Sequence, residues 1–121
     1  IMGSKTWEDP FMPTPLKNRE NILITTKDHS YYPGANKYLK GDIVKEILNL
    51  EKQYLDRDVY IIGGPKIIIQ TFDLFKEFYL TRIYGNFKCD KFIDIDKIAN
   101  TMNLIEKIDC DDKCHFEIWR K

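Results

Sequence analysis

Asp58-Val-Tyr-Ile-Ile-Gly-Gly-Pro-Lys-Ile-Ile-Ile-Gln-Thr-Phe72 is the stretch on which the reading of this chain turns. Val59 to Ile62 is a short apolar run rich in β-branched residues, the pattern of a strand covered on both faces. Gly63 and Gly64 let the backbone turn where a Cβ would clash, and let another group approach the bare peptide. Pro65 suits the first turn of a helix, where its missing N–H costs nothing. The stretch therefore predicts a strand, a tight corner and a helix whose N-terminus points outward from the carboxyl edge of a sheet. Unpaired N–H groups and the helix dipole make such a place attractive to a phosphate. Two glycines alone also fit a corner that does nothing but join a strand to a helix.

The first residues repeat the theme. Ile1-Met-Gly-Ser-Lys-Thr-Trp-Glu8 reads as a strand end, a glycine and a short helix whose first turn holds Ser4, Lys5 and Thr6. A hydroxyl and a cation beside free N–H groups make a second candidate anion site. Asp9-Pro10 stops the helix, because the residue before proline avoids helical geometry. A proline-rich loop follows to Pro15, then a turn at Lys17-Asn18, where Asn tolerates a left-handed conformation. Asn21 to Thr26 reads as a buried strand and Lys37 to Leu39 as a short one. Asp42 is a plausible N-cap for an amphipathic helix carrying Ile43, Val44, Ile47, Leu48, Tyr54 and Leu55, running to about Asp56. Lys76 to Ile83 alternates as a strand, Phe92 to Ile95 reads as a short extended piece, and Leu104–Ile108 with Cys114–Trp119 reads as a hairpin turned at Asp-Asp-Lys. Strands alternating with helices through Phe75 predict an α/β sheet with parallel crossovers and an antiparallel C-terminal hairpin.

Composition narrows the function classes. A chain of 121 residues, 43% hydrophobic and 31% charged, fits one ordinary globular domain spanning residues 1 to 121. Nineteen basic residues balance nineteen acidic ones, so no global field recruits nucleic acid or an anionic membrane. Apolar runs are too short for a membrane span, no secretory leader is visible, and the expected compartment is the cytoplasm. Cys110, Cys114 and His115 suggest a metal only weakly, since no fourth ligand is evident, and no metal is expected. His29 reads as solvated and Trp7 as packing.

Taken in order, Ile-Met-Gly-Ser-Lys-Thr-Trp-Glu, Pro15-Leu-Lys-Asn-Arg19 with Asn-Ile-Leu-Ile-Thr-Thr, Val-Tyr-Ile-Ile-Gly-Gly, Phe-Tyr-Leu-Thr-Arg-Ile, Asp90 and Cys-His-Phe-Glu-Ile-Trp resemble the dihydrofolate reductase family along nearly the whole chain. The resemblance implies that family's mostly parallel central sheet flanked by helices, and hydride transfer from NADPH to dihydrofolate. It implies that Gly63, Gly64, Pro65, Lys66, Ile67 and Gln70 hold the pyrophosphate and nicotinamide side of the cofactor, with Ile62 beside them. Gly3, Ser4, Lys5 and Thr6 take the other side of the pyrophosphate, and Thr25, Thr26 and Lys40 line the adenosine end. Arg19 falls where the family pairs an arginine with the glutamate carboxylate of the substrate, a task suited to a guanidinium fork. Leu16 and Ile68 pack on the aminobenzoyl and pterin region, with Ile62 behind, and Thr81 supports the catalytic carboxylate and the pterin amino group.

Three departures accompany the resemblance. Ser4 stands where many relatives carry a basic residue against the phosphate that distinguishes NADPH, leaving Lys5 or Lys27 to compensate. Pro65 replaces a glycine. The family's first strand, active-site loop and first helix have no counterpart, so the expectation is that residues precede Ile1 in the natural protein, bearing the catalytic acid, or that a second chain supplies the strand. Two other readings stay open: a dinucleotide-binding or structural relative without catalysis, and a reductase domain of the riboflavin-pathway type.

Overall fold

The computed structural model describes all residues from 1 to 121, in two compact units, Ile1–Phe72 and Asp73–Lys121. The first unit is built on parallel strands β1 (Met2–Gly3), β2 (Ile22–Ile24) and β3 (Lys37–Leu39), ordered β1-β2-β3. Met2 sits opposite Leu23, and Leu23 opposite Tyr38. Helix α1 (Ser4–Glu8) follows β1 directly and stops at Asp9, as the following proline requires. Its Trp7 packs with Met2, Leu23 and Tyr32 into a buried cluster, against which Leu16, Ala35 and Tyr38 lie half-buried. Trp7 is thus core material.

The run Val59–Ile62 is extended but does not form the doubly covered strand its composition suggests. It runs alongside β1, with Ile62 N–H donating to Ile1 C=O at 3.0 Å and Gly3 N–H donating to Gly63 C=O at 2.9 Å. Alternate residues face solvent, Tyr60 at 56% exposure and Ile62 at 42%. Apolar composition could not reveal that this stretch pairs with β1 yet is covered on one side only.

Helix α2 (Ile43–Gln53) starts as expected, the Asp42 carboxylate accepting the Lys45 N–H at 3.2 Å. It ends three residues before Asp56, because Tyr54 leaves helical geometry. The Tyr54 ring instead lies under Lys37 Nζ, 4.7 Å from the ring centre, with the Arg57 guanidinium on it at 5.9 Å. The buried stripe uses Ile47 and Leu50, whereas Leu48 and Leu55 are exposed. Helix α3 (Pro65–Thr71) opens on Pro65 with Gly64 as N-cap, and the Thr71 hydroxyl donates back to Ile67 C=O.

In the second unit, β4 (Glu77–Ile83), β5 (Asn103–Asp109) and β6 (Cys114–Arg120) form an antiparallel sheet ordered β4-β6-β5. The register shifts at Leu104/Glu106, a bulge on β5. Phe92–Ile95 does not continue as an extended piece: Ile95 opens helix α4 (Ile95–Thr101), capped by the Asp94 carboxylate on the Lys97 N–H at 3.0 Å. The cap overrides the β-branched residues on either side of it, and Ile98 ends up fully buried. The Asp-Asp-Lys turn forms as expected, with Asp111 Oδ1 accepting from both Lys113 and Cys114 N–H. Cys110 and Cys114 are joined across it, leaving Cys89 free and exposed.

Candidate functional site

Parallel strands deliver their carboxyl ends to one edge, which is where open α/β sheets take ligands. In the first unit that edge carries Gly3 at the end of β1 with Ser4 following, Thr25-Thr26 after β2, Lys40 after β3 and Gly63-Gly64 beside β1. Four segments separated in sequence thus present their bare backbone, hydroxyls and a lysine together.

The two glycine corners meet. The bond from Gly3 N–H to Gly63 C=O ties them at 2.9 Å. Each corner is the N-cap of a short helix and neither has a side-chain cap, so the first N–H groups of α1 and α3 are left for another acceptor. Space is tight for a side chain at Gly3, whereas at Gly63 the backbone torsion is what favours glycine. A Cβ on Gly3 would come 3.3 Å from Ile67 Cγ1, and one on Gly63 would come 3.4 Å from the Thr6 hydroxyl oxygen. Gly63 has φ of +137°, which L side chains rarely adopt. The peptide between Gly63 and Gly64 is cis. Gly3, Thr6, Gly63, Gly64 and Ile67 therefore form one contiguous surface.

Around it, Pro65 and Ile68 are half-buried, while Lys66, Gln70, Lys5, Thr26 and Lys40 are exposed and Ser4 is half-buried. Thr25 is buried, its N–H donating to Leu39 C=O and its hydroxyl accepting the Lys27 N–H at 3.1 Å. The Lys27 ammonium sits 5.4 Å above the Tyr31 ring, and its backbone follows the same turn. The Asp28 carboxyl lies below its usual range, held there first by the Ser30 N–H, with smaller help from the His29 and Lys40 charges. His29 is exposed, as expected, with its ring edge-on to Tyr38.

Leu16 and Arg19 lie at the other end of β2, before its first residue. The length of a three-residue strand, roughly 10 Å, separates them from the glycine corners. Asn18 takes φ of +61°, the left-handed turn conformation expected of it. Arg19 is exposed and forms no ion pair, whereas neighbouring Glu20 sits 3.8 Å from Arg57. The residue missed in the sequence is Asn21, 4% exposed, whose amide bonds three backbone groups of this loop. An asparagine at the mouth of an apolar strand was the available signal, since a buried amide needs partners.

Thr81 belongs to the second unit, exposed on β4 opposite Phe116. In that unit His115 turns away from the cysteines. Its Nε2 bonds Glu117 Oε2 at 2.6 Å and its Nδ1 bonds the Tyr84 hydroxyl at 2.6 Å. A carboxylate only accepts, so Nε2 carries a proton. Trp119 Nε1 donates to the other Glu117 oxygen at 2.8 Å. A separate cleft of about 270 Å³ lies between β3 and α2, lined by Lys37, Tyr38 and Leu39 on one side and Glu46, Asn49 and Gln53 on the other. It contains none of the corner residues.

These features define an open α/β protein whose parallel strands end in bare-backbone corners tied edge to edge. A dihydrofolate reductase family model matches residues 1 to 119, and the chain belongs to the dihydrofolate reductase family. Dihydrofolate reductase of Saccharomyces cerevisiae is 33% identical over 115 residues, covering 85% of this chain and 54% of the yeast protein. Dihydrofolate reductase of Bacillus subtilis is 29% identical over 91 residues, 75% of this chain and 50% of its own length. The chain thus spans about half the length of the curated relatives it matches. Schistosoma mansoni dihydrofolate reductase superposes with a TM-score of 0.69 at 19% identity, covering 98% of this chain and 72% of that one, a likeness of fold. No helix is long and apolar enough to cross a membrane.

Proposed function

We propose that this chain carries the cofactor corner and the tail-binding loop of a reductase acting on 7,8-dihydrofolate to give tetrahydrofolate, with NADPH as reductant. The observation that carries the reading is the tie between Gly3 and Gly63, which sets two uncapped helix starts side by side at the carboxyl edge of a parallel sheet. A diphosphate has oxygens for both sets of N–H groups, and the missing Cβ atoms give it a close approach. When bound, the reduced nicotinamide supplies a hydride that adds to the pterin C=N bond, a proton completing the reduction.

The chain's own contribution is binding and orientation. The backbone N–H groups of Ser4, Gly64 and Lys66, with the Thr6 hydroxyl, hold the pyrophosphate, Gly3 and Pro65 leave room for its approach, and Lys5 and Lys66 add positive charge nearby. Thr25, Thr26 and Lys40 border the adenosine. Ile62, Ile67, Ile68 and Gln70 flank the nicotinamide side, and Leu16 with Ile68 covers the aminobenzoyl-pterin length. Arg19, free of any internal carboxylate, offers its fork to the substrate's glutamate. Held reactants of this kind gain rate through proximity and exclusion of water.

The test is loss of reduced-nicotinamide absorbance on adding dihydrofolate to protein made from the complete natural reading frame, with NADPH and NADH compared. Turnover with dihydrofolate supports the proposal. Binding of NADPH without turnover would leave a dinucleotide-binding relative, and preference for a ribosylated pyrimidine would move the assignment to the riboflavin-type reductases.

A further inference from the structure

We infer that Asn21 is a positioning residue that sets Arg19 and Leu16 at a fixed spacing for the tail of the substrate; the inference rests on the reading that Arg19 takes the tail's carboxylate. Asn21 is almost fully buried, at 4% exposure. Its Oδ1 accepts the Leu16 N–H at 2.9 Å, and its Nδ2 donates to Leu16 C=O at 2.9 Å and to Arg19 C=O at 3.1 Å. One amide therefore closes both ends of the turn Leu16-Lys17-Asn18-Arg19, using both of its N–H donors and one oxygen lone pair. The Asn21 backbone is itself locked: its N–H donates to Asn36 Oδ1 at 2.7 Å, and its C=O accepts the Asn36 N–H at 2.7 Å.

The consequence is a pinned backbone under an exposed head group. Leu16 is half-buried against the Met2, Trp7, Leu23 and Tyr32 cluster, giving an apolar contact. Arg19, three residues on, has its backbone carbonyl pinned while its guanidinium is exposed and unpaired. Glu20, the nearest carboxylate in sequence, points to Arg57 at 3.8 Å. An apolar contact followed at fixed distance by a free fork matches a ligand with an aryl segment ending in a carboxylate. Aspartate in place of Asn21 keeps the acceptor but loses both donors. Serine retains one short hydroxyl.

The experiment compares dihydrofolate with a dihydropterin lacking the aminobenzoyl-glutamate tail, in the natural protein and in Asn21→Asp, Asn21→Ser and Arg19→Ala. The quantity read is the ratio of kcat/KM for the two substrates. The expected result is a fall of roughly tenfold in that ratio for Asn21→Asp, carried by KM for dihydrofolate, with little further fall when Arg19→Ala is added. A proportional loss on both substrates would mean a purely structural asparagine and overturn the inference. Arg19→Ala without effect on the ratio would sink the reading of Arg19 itself. An effect of Arg19→Ala with none from either Asn21 variant sinks the positioning role alone. Should the variants not fold, NMR of the unmodified protein decides: p-aminobenzoyl-glutamate shifts the Asn21 side-chain amide signals and leaves those of Asn49, and unmoved Asn21 signals overturn the inference.

Discussion

Replacing each of the paired glycines by alanine separates backbone strain from crowding. Gly63 has φ of +137°, whereas Gly64 has φ of −82° and ψ of −170°, ordinary extended geometry. A Cβ at Gly63 would lie 3.4 Å from Thr6 Oγ1, and one at Gly64 would lie 3.7 Å from the same atom. Both are tolerable contacts, so only the backbone distinguishes the two positions. Holding a side chain in a glycine-only conformation costs about 1–3 kcal/mol. Gly63→Ala is therefore expected to raise the unfolding equilibrium constant roughly 5- to 150-fold, and Gly64→Ala, which loses only the N-cap preference for glycine over alanine, to cost less, at most about 1 kcal/mol. Urea titration followed by the fluorescence of buried Trp7, in a Trp119→Phe background, measures both. The same variants in a cofactor-binding titration should both weaken binding, because either Cβ narrows the approach to the corner. Equal stabilities for the two variants, or full recovery of Gly63→Ala by adding Thr6→Ala, would refute the reasoning, since removing the hydroxyl relieves contact and not backbone strain.

Other outcomes follow from single contacts. Glu117 feels burial, which raises its pKa, but bonds from His115 and Trp119 and the charges of Arg82 and His115 outweigh this and hold it below the usual carboxylate range. The stability this contributes is complete above the unfolded value of about 4.3 and is lost as pH falls through the lower folded value. Glu117→Gln should be less stable at neutral pH and show a shallower decline on the acid side, measured by urea midpoints across pH; an unchanged slope counts against the network. Leu23, fully buried in the middle strand of the parallel sheet, should cost about 2–5 kcal/mol as Leu23→Ala by chemical denaturation. Asp94→Ala removes the cap of α4 and should cost about 1 kcal/mol, with hydrogen exchange rising first at Lys97. A loss below a few tenths would mean that the cap is not what starts this helix.

Local sequence determined those features whose causes are local. Gly3 and Gly64 end strand-like runs and start helices, Asp42 caps α2, Asn18 takes the left-handed turn, and Asp111 shapes the hairpin loop, because each depends on one residue's own backbone or a side chain within three positions. The family, too, was legible, since the order of short motifs survives without any knowledge of contacts. The same sequence misled where a distant partner decided. Val59–Ile62 has strand composition yet is bonded along β1 with Tyr60 and Ile62 exposed, and Leu55 fits a helical stripe that ends earlier, when Tyr54 turns to meet Lys37 and Arg57.

Beyond what the family resemblance implied, tertiary structure decided which residues share a surface. Nothing local announces that Gly3 bonds Gly63, that Thr25 and Lys40 reach the same sheet edge, or that Asn21 closes the loop carrying Arg19. The physical reason is that a backbone torsion or a cap is fixed by interactions a few residues apart. A site is fixed by strand register, and register is set by burial and hydrogen bonding between segments that the chain brings together only on folding.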